Sequence, residues 1–290
     1  MYTTLISAQQ LQTLMKSGQP VMVFDCSFEL MTPGAGDEQY KQAHIAGAVR
    51  ADLDRHLSAN GASDAASGGR HPLPSRESFA AWLSGIDFTN NKQAVVYDRQ
   101  GATYCGRLWW MLKWAGHDAV AVLDGGLQAW QADGGATQCS PHPSPLPEGE
   151  GVANFNLTST RAVLITTATI TKQLGRPTQT IVDARGAARF KGEVEPLDPV
   201  AGHIPGALNR PFNLNLDCQG KFKPADQLKA EFEALLAGRD PATVVHHCGS
   251  GVSAVPNIIA MEVAGLGRSA LYAGSWSEWC SNPARPCAQG

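Results

Sequence analysis

Val244–Ala254 reads VVHHCGSGVSA, and both the fold and the chemistry follow from it. Residues of strand character run into Cys248, which opens a short loop containing Gly249 and Gly251. A helical pattern begins at once with Ile258, Ile259, Met261, Glu262 and Val263. Pro256 is tolerated there because it falls in the first turn, where its missing N–H is not needed. A cysteine on a tight turn at a helix N-terminus faces backbone N–H groups and the positive end of the helix dipole, which favour thiolate over thiol. The glycines let the backbone curl, so the amides of Gly249, Ser250, Gly251, Val252 and Ser253 are expected to cradle an anion carried on sulfur. The competing reading is a buried structural cysteine among turn glycines, which needs none of this environment.

Outward from this turn, short apolar runs alternate with helical patterns. Thr180–Asp183, Thr243–His247 and Ala270–Tyr272 read as strands. Pro224–Ala237 reads as a helix with Leu228, Phe232, Leu235 and Leu236 on one face. Strand–helix alternation predicts an α/β fold with a mainly parallel central sheet flanked by helices. A loop leaving the C-terminal end of a strand into a helix is the usual site position in such a sheet.

The same pattern occurs twice. Ala94–Trp130 aligns with Thr243–Trp279 without a gap, pairing Gly116 with Gly265, Gly125 with Gly274 and Trp130 with Trp279. Upstream, His44–Ala48 (HIAGA) matches His203–Ala207 (HIPGA), and Phe24-Asp25 matches Val182-Asp183. The first copy carries extra residues, for which Asn60–Pro74 (NGASDAASGGRHPLP) is the natural loop. Between the copies, Ser140–Gly151 (SPHPSPLPEGEG) cannot sustain a helix or a central strand. The predicted organisation is therefore a first domain over 1–138, a linker over 139–160 and a second domain over 161–290. In the first copy Arg99 aligns with Cys248, so that domain has no nucleophile and is expected to be catalytically silent.

A chain of 290 residues with 43% hydrophobic and 17% charged residues suits two compact domains rather than a disordered protein. The net charge of −3 gives no reason to expect nucleic-acid or membrane partners. The opening MYTTLISAQQLQTLMK lacks the layout of a signal peptide and reads as a lead-in to a helix with Ser7 and Gln10 as a capping box. The seven cysteines are odd in number and scattered, which fits a reducing compartment and a cytoplasmic location. His246, His247 and Cys248 are adjacent on a strand and point to alternate faces, so they make poor joint ligands and no metal is expected.

Taken together, HIPGA at His203–Ala207, DAR at Asp183–Arg185, CGSGVSA at Cys248–Ala254 and GSWSEW at Gly274–Trp279 resemble the tandem-domain rhodanese family of sulfurtransferases. The resemblance covers nearly the whole chain apart from the linker. It implies two rhodanese-like domains, the second catalytic, with Cys248 carrying a persulfide and no cofactor. CGSGV-type loops resemble those of 3-mercaptopyruvate sulfurtransferases, whereas thiosulfate-preferring members usually carry cations in the loop. The implied donor is thus 3-mercaptopyruvate, with thiosulfate as the alternative; the implied acceptors are cyanide, a small thiol or thioredoxin. Mercaptopyruvate enzymes typically use two arginines. Arg189 matches the first; Leu197, in EPLDP, stands where the second would be. Arg189 also reads as an ion-paired surface residue. His71 matches a histidine proposed to reach Ser250, with Asp52, Asp54 or Asp64 as an acidic third partner. Asp183 and Arg185, together with Glu278, are read as supporting charges, and Trp276 and Trp279 as cleft lining or core.

Two rival readings follow. Cysteine-dependent phosphatases of related fold need an arginine where this chain has Ala254, so the bidentate phosphate clamp is missing. A non-catalytic sulfur-carrier or binding module fits the first copy but leaves the cysteine and loop glycines of the second without purpose.

Overall fold

A computed structural model describes residues 1–32, 34–139 and 154–290. The chain divides into two compact units. The first comprises Met1–Ala59, Pro74–Arg161 and Cys218–Lys221; the second comprises Asn60–Leu73, Ala162–Asp217 and Phe222–Gly290.

The first unit is built on a five-stranded sheet, ordered Leu5–Ile6, Val120–Leu123, Gln93–Tyr97, Val21–Asp25 and Val49–Arg50. Every pairing in it is parallel. Parallel neighbours need crossovers, and helices supply them. QAVVY and VAVL are apolar nearly throughout because both strands are fully buried. The helix Cys105–Trp114 is likewise buried along its whole length.

The second unit repeats this order in parallel, with Ala270–Leu271, Val244–His247, Thr180–Asp183 and Leu208–Asn209. A parallel bridge from Leu164 to Leu271 takes the place that Leu5–Ile6 holds in the first sheet. The predicted helix is Ala225–Leu236, burying Leu228, Phe232 and Leu236. The predicted helix after the cysteine loop is Val255–Val263, with Pro256 in its first turn.

Two sequence motifs explain local geometry in both units. His44 and His203 each place Nδ1 on the carbonyl of a residue at the end of the preceding helix, at 2.6 Å on Tyr40 and 2.8 Å on Phe190. Each imidazole also stacks on that residue's ring with centroids 3.8 Å apart. His44 pairs antiparallel with Gln138, and His203 with Ala288, so the motif ties each unit to its own late segment. At the start of the chain, Ser7 and Gln10 form the expected reciprocal cap on Ala8–Lys16.

The compact units depart from the boundaries of the sequence copies. The segment 60–73 is read as part of the first copy but packs with the second unit, where Gly68 and Gly69 lie against Glu278, Gly274 and Ser277. A β-carbon on Gly69, at φ +88°, would lie 2.5 Å from the Gly274 carbonyl oxygen, so that close approach needs glycine; one on Gly68 would meet only the movable Glu278 side chain. Ser140–Gly151, the core of the expected linker, lies outside the described residues. Its far end is packed structure: Phe155 is buried against Phe88 and His117, and Asn156 bonds Asn90. Among the described residues no helix is long and apolar enough to cross a membrane.

Candidate active site

Cys248 leaves the C-terminal end of the fully buried strand Val244–His247 and is itself 1% exposed. The loop is pinned from outside by the start of the helix Ser275–Trp279. Trp276 N donates to Cys248 O at 3.0 Å and Ser277 N to Gly249 O at 2.9 Å. Cys248 N donates to Ser275 Oγ at 3.1 Å. Ser275 holds a left-handed backbone, φ +56°, a strained state for a residue with a β-carbon. Gly251, φ +75°, turns the loop where a β-carbon would strike the Ala273 carbonyl. With the loop carbonyls so held, the amides of Gly249, Ser250, Val252 and Ser253 donate to no acceptor among the described residues. Several inward amides without partners form a site for negative charge.

The first unit shows the same loop filled. Asp98, which aligns with His247, turns its carboxylate into the loop. Its Oδ1 accepts from Gln100 N at 2.9 Å and Ala102 N at 3.1 Å. Its Oδ2 accepts from Tyr104 N at 2.8 Å and Cys105 N at 3.0 Å. Arg99, in the position of the nucleophile, is bound to Ser27, Gln39 and Ala43 and lies 3.5 Å from Asp25. In this copy four of the loop amides are taken up by Asp98, and Arg99 rather than a thiol stands at the turn.

Below the second-unit loop lies a ladder of alternating charges. Arg185 binds Asp183 through Nη2 at 2.7 Å and reaches Glu195 at 3.2 Å. Glu195 binds Arg189 at 2.6 Å, Arg189 reaches Asp198 at 3.2 Å, and Asp198 binds Arg70 at 2.7 Å. Burial works against the Asp183 charge, but His247 and the Arg185 guanidinium outweigh it and hold the carboxyl below its ordinary range. Burial drives His247 down despite Asp183, whose Oδ2 is 3.6 Å from its Nε2. Trp276 is fully buried with the Arg185 guanidinium 4.8 Å over its ring, so it supports that arginine from the core. Trp279 is equally buried. Glu278 stays apart from the Asp183–Arg185 pair: its side chain folds over Gly68 and Gly274, and Glu195 is the second acid on Arg185.

His71 and Ser250 are brought together, with Nδ1 2.7 Å from Oγ. Arg189 is paired with two acids, yet its Nη1 would lie 3.5 Å from a β-carbon built on Gly249. Of the three acids weighed as a partner for His71, Asp52 instead binds Arg50 at 3.0 Å in the first unit. Sequence reasoning missed three residues: Ser275, Asp98 and Arg70. The signal for Arg70 was its place beside His71 in the glycine-bounded GGRHPLP segment.

The fold and this loop define an α/β protein of two like domains, one bearing a cysteine on an open amide turn. The rhodanese-like domain family matches residues 7–133 and again 166–282, and the chain belongs to that family. A Pseudomonas aeruginosa protein named "Probable 3-mercaptopyruvate sulfurtransferase" is 44% identical over 290 residues, covering 99% of this chain and 98% of the relative. The Arabidopsis thaliana thiosulfate/3-mercaptopyruvate sulfurtransferase 2 is 34% identical, covering 86% of this chain and 76% of its own length. Among solved structures, the 3-mercaptopyruvate sulfurtransferase from Leishmania major matches with a TM-score of 0.80 at 30% identity, over 96% of this chain and 74% of that one.

Proposed function

We propose that this protein is a sulfurtransferase that moves a sulfane sulfur from 3-mercaptopyruvate to cyanide or a thiol acceptor through a persulfide on Cys248. The observation that carries the reading is the set of unengaged amides beyond Cys248, two of which, Gly249 and Ser253, align with Gln100 and Tyr104, whose amides Asp98 takes up in the other unit. The Cys248 thiolate attacks the donor sulfur. An S–S bond forms, the donor's C–S bond breaks, and the electron pair leaves on carbon as pyruvate enolate, which takes up a proton. Ser250 and His71 share a hydrogen bond at the right place to relay that proton. The outer sulfur rests among the amides of Gly249–Ser253, while Asp183, Arg185 and Trp276 hold the framework beneath. Cyanide carbon then attacks that sulfur, the S–S bond breaks, and thiocyanate leaves with the thiolate restored. A small thiol or reduced thioredoxin takes the sulfur in the same way. The scheme uses no metal or organic cofactor.

Thiosulfate is the second reading of the donor, with sulfite as the leaving group. The double name of the Arabidopsis relative supports it. A cytoplasmic location is supported by seven cysteines that are all free.

The test is a steady-state comparison of 3-mercaptopyruvate and thiosulfate with cyanide as acceptor, alongside Cys248→Ala. The reading expects turnover lost in the variant and one added sulfur atom on Cys248 in wild-type protein treated with donor alone. Sulfur transfer surviving in Cys248→Ala would end it.

A further inference from the structure

Leu197 leaves empty the place of a second donor-binding arginine, but another guanidinium reaches the loop from a distant part of the chain. Arg70 lies in the segment 60–73, which packs with the second unit. Its backbone amide donates to Ser277 Oγ at 3.0 Å, and Ser277 in turn donates its own amide to Gly249 O. Its Nη1 binds Asp198 Oδ1 at 2.7 Å, from 128 residues away in sequence. Asp198, only 3% exposed, also accepts from Arg189 Nη2. One buried carboxylate therefore fixes both arginines. Each keeps an unused terminal nitrogen: neither Arg70 Nη2 nor Arg189 Nη1 donates to an acceptor among the described residues, and Arg70 Nε is buried without a partner. A β-carbon built on Gly249 would lie 3.1 Å from Arg70 Nη2 and 3.5 Å from Arg189 Nη1.

We propose that Arg70 is the second donor-binding residue, supplying beside Gly249 the cation that position 197 lacks; this rests on the sulfurtransferase reading above. One unused N–H group from each of two guanidiniums, Arg70 Nη2 and Arg189 Nη1, beside one small volume suits a carboxylate, whose two oxygens can each accept a charge-assisted hydrogen bond. Both acids, Glu195 and Asp198, are taken up by other nitrogens of the two arginines, so Arg70 Nη2 and Arg189 Nη1 remain as donors. Gly249 then has a second reason to lack a side chain, because any β-carbon would intrude on the space the donor's carboxylate shares with Arg70. Asp198 acts as a positioning residue that sets where Arg70 points.

The experiment is initial-rate kinetics with 3-mercaptopyruvate and cyanide on wild type, Arg70→Leu, Arg70→Lys and Asp198→Asn, with thermal melts of each. Arg70→Leu is expected to raise KM by about tenfold or more with kcat changed by less than about threefold. Arg70→Lys is expected to recover part of that loss, because the charge returns without the fork. Asp198→Asn is expected to raise KM less than Arg70→Leu does. Inhibition by pyruvate should weaken in parallel, a readout that a purely structural role would not move. A KM for Arg70→Leu within about twofold of wild type, or a loss confined to kcat, overturns the proposal. If wild-type protein turns over neither 3-mercaptopyruvate nor thiosulfate, the sulfurtransferase reading falls together with it. Active wild type with an indifferent Arg70→Leu removes this inference alone.

Discussion

Ser250 Oγ lies 2.7 Å from His71 Nδ1, although 179 residues separate them along the chain. The hydroxyl sits on the loop just past Cys248, so under the proposed reaction a proton moved through this pair would go to the donor's departing fragment. The two donors differ in needing it. Carbon that loses sulfur from 3-mercaptopyruvate must be protonated, whereas sulfite leaves thiosulfate as a stable anion. Ser250→Ala should therefore lower kcat/KM for 3-mercaptopyruvate by about 10²-fold and leave thiosulfate within about threefold. Equal losses with both donors would mean that the hydroxyl only holds the loop.

The contact between Cys248 N and Ser275 Oγ supports a second prediction. Ser275 has φ +56°, and its counterpart in the first unit is Gly126 at φ +59°. Serine tolerates the strain because its hydroxyl satisfies a buried amide and itself donates to Tyr272 O. Ser275→Ala keeps the strain and orphans the amide, at a cost of about 1–3 kcal/mol. Ser275→Gly orphans the amide but relieves the backbone, so it should be the milder change. Urea denaturation of the two variants checks the order; a more damaging glycine would show that the turn is held by other contacts.

Much of this arrangement was legible in the residues themselves. The strand–turn–helix around Cys248 follows from local pattern, because apolar runs, turn glycines and a first-turn proline act over a few residues. That the first copy has no cysteine at this turn is likewise legible, in Arg99. What stayed hidden depends on chain segments far apart. Arg70 reaches Gly249 only because Gly69 lets the 60–73 segment lie against Ser277 and Gly274. Ser275 carries no left-handed signature, since glycine is the residue that marks such a position. Asp98 carries no signal in its residue type, because its place rests on four backbone donors that only the folded loop brings to it. Glu278 was read as a supporting charge together with Asp183 and Arg185, yet its side chain lies against Gly68 and Gly274.

Asp183 is fully buried and shares its charge with Arg185. Asp183→Asn would leave Arg185 buried with Glu195 as its remaining acid, and losing one partner of such a pair costs about 3–5 kcal/mol. The pH dependence follows from the direction of the shift. A carboxyl held below its ordinary value contributes stability above its unfolded pKa and loses it as pH falls through its folded pKa. Wild type should therefore lose part of its stability on acidification where Asp183→Asn has none left to lose. Chemical denaturation midpoints measured from neutral to strongly acid pH test this; an undiminished acid limb in the variant would place that proton elsewhere.

His246 points to a different acid response in the same strand. Its Nε2 lies 3.1 Å from Met261 Sδ, and its Nδ1 is buried without a hydrogen-bond partner among the described residues. Burial, with smaller contributions from His247 and Arg210, lowers its pKa to about 3. An unfolded histidine titrates near 6.5, so between about pH 6.5 and about pH 3 the unfolded chain binds a proton that the folded chain refuses. Stability is fully present above the unfolded value and falls on acidification by up to about 1.4 kcal/mol per pH unit for this one group. His246→Leu removes the titration and the orphaned nitrogen while keeping an apolar side chain against Phe232. Urea denaturation between about pH 7.5 and about pH 5 should show the variant losing stability less steeply below pH 6.5, by close to one proton's slope. Parallel curves for the two proteins would mean that His246 takes up its proton in the folded state, against the burial seen at every side of its ring.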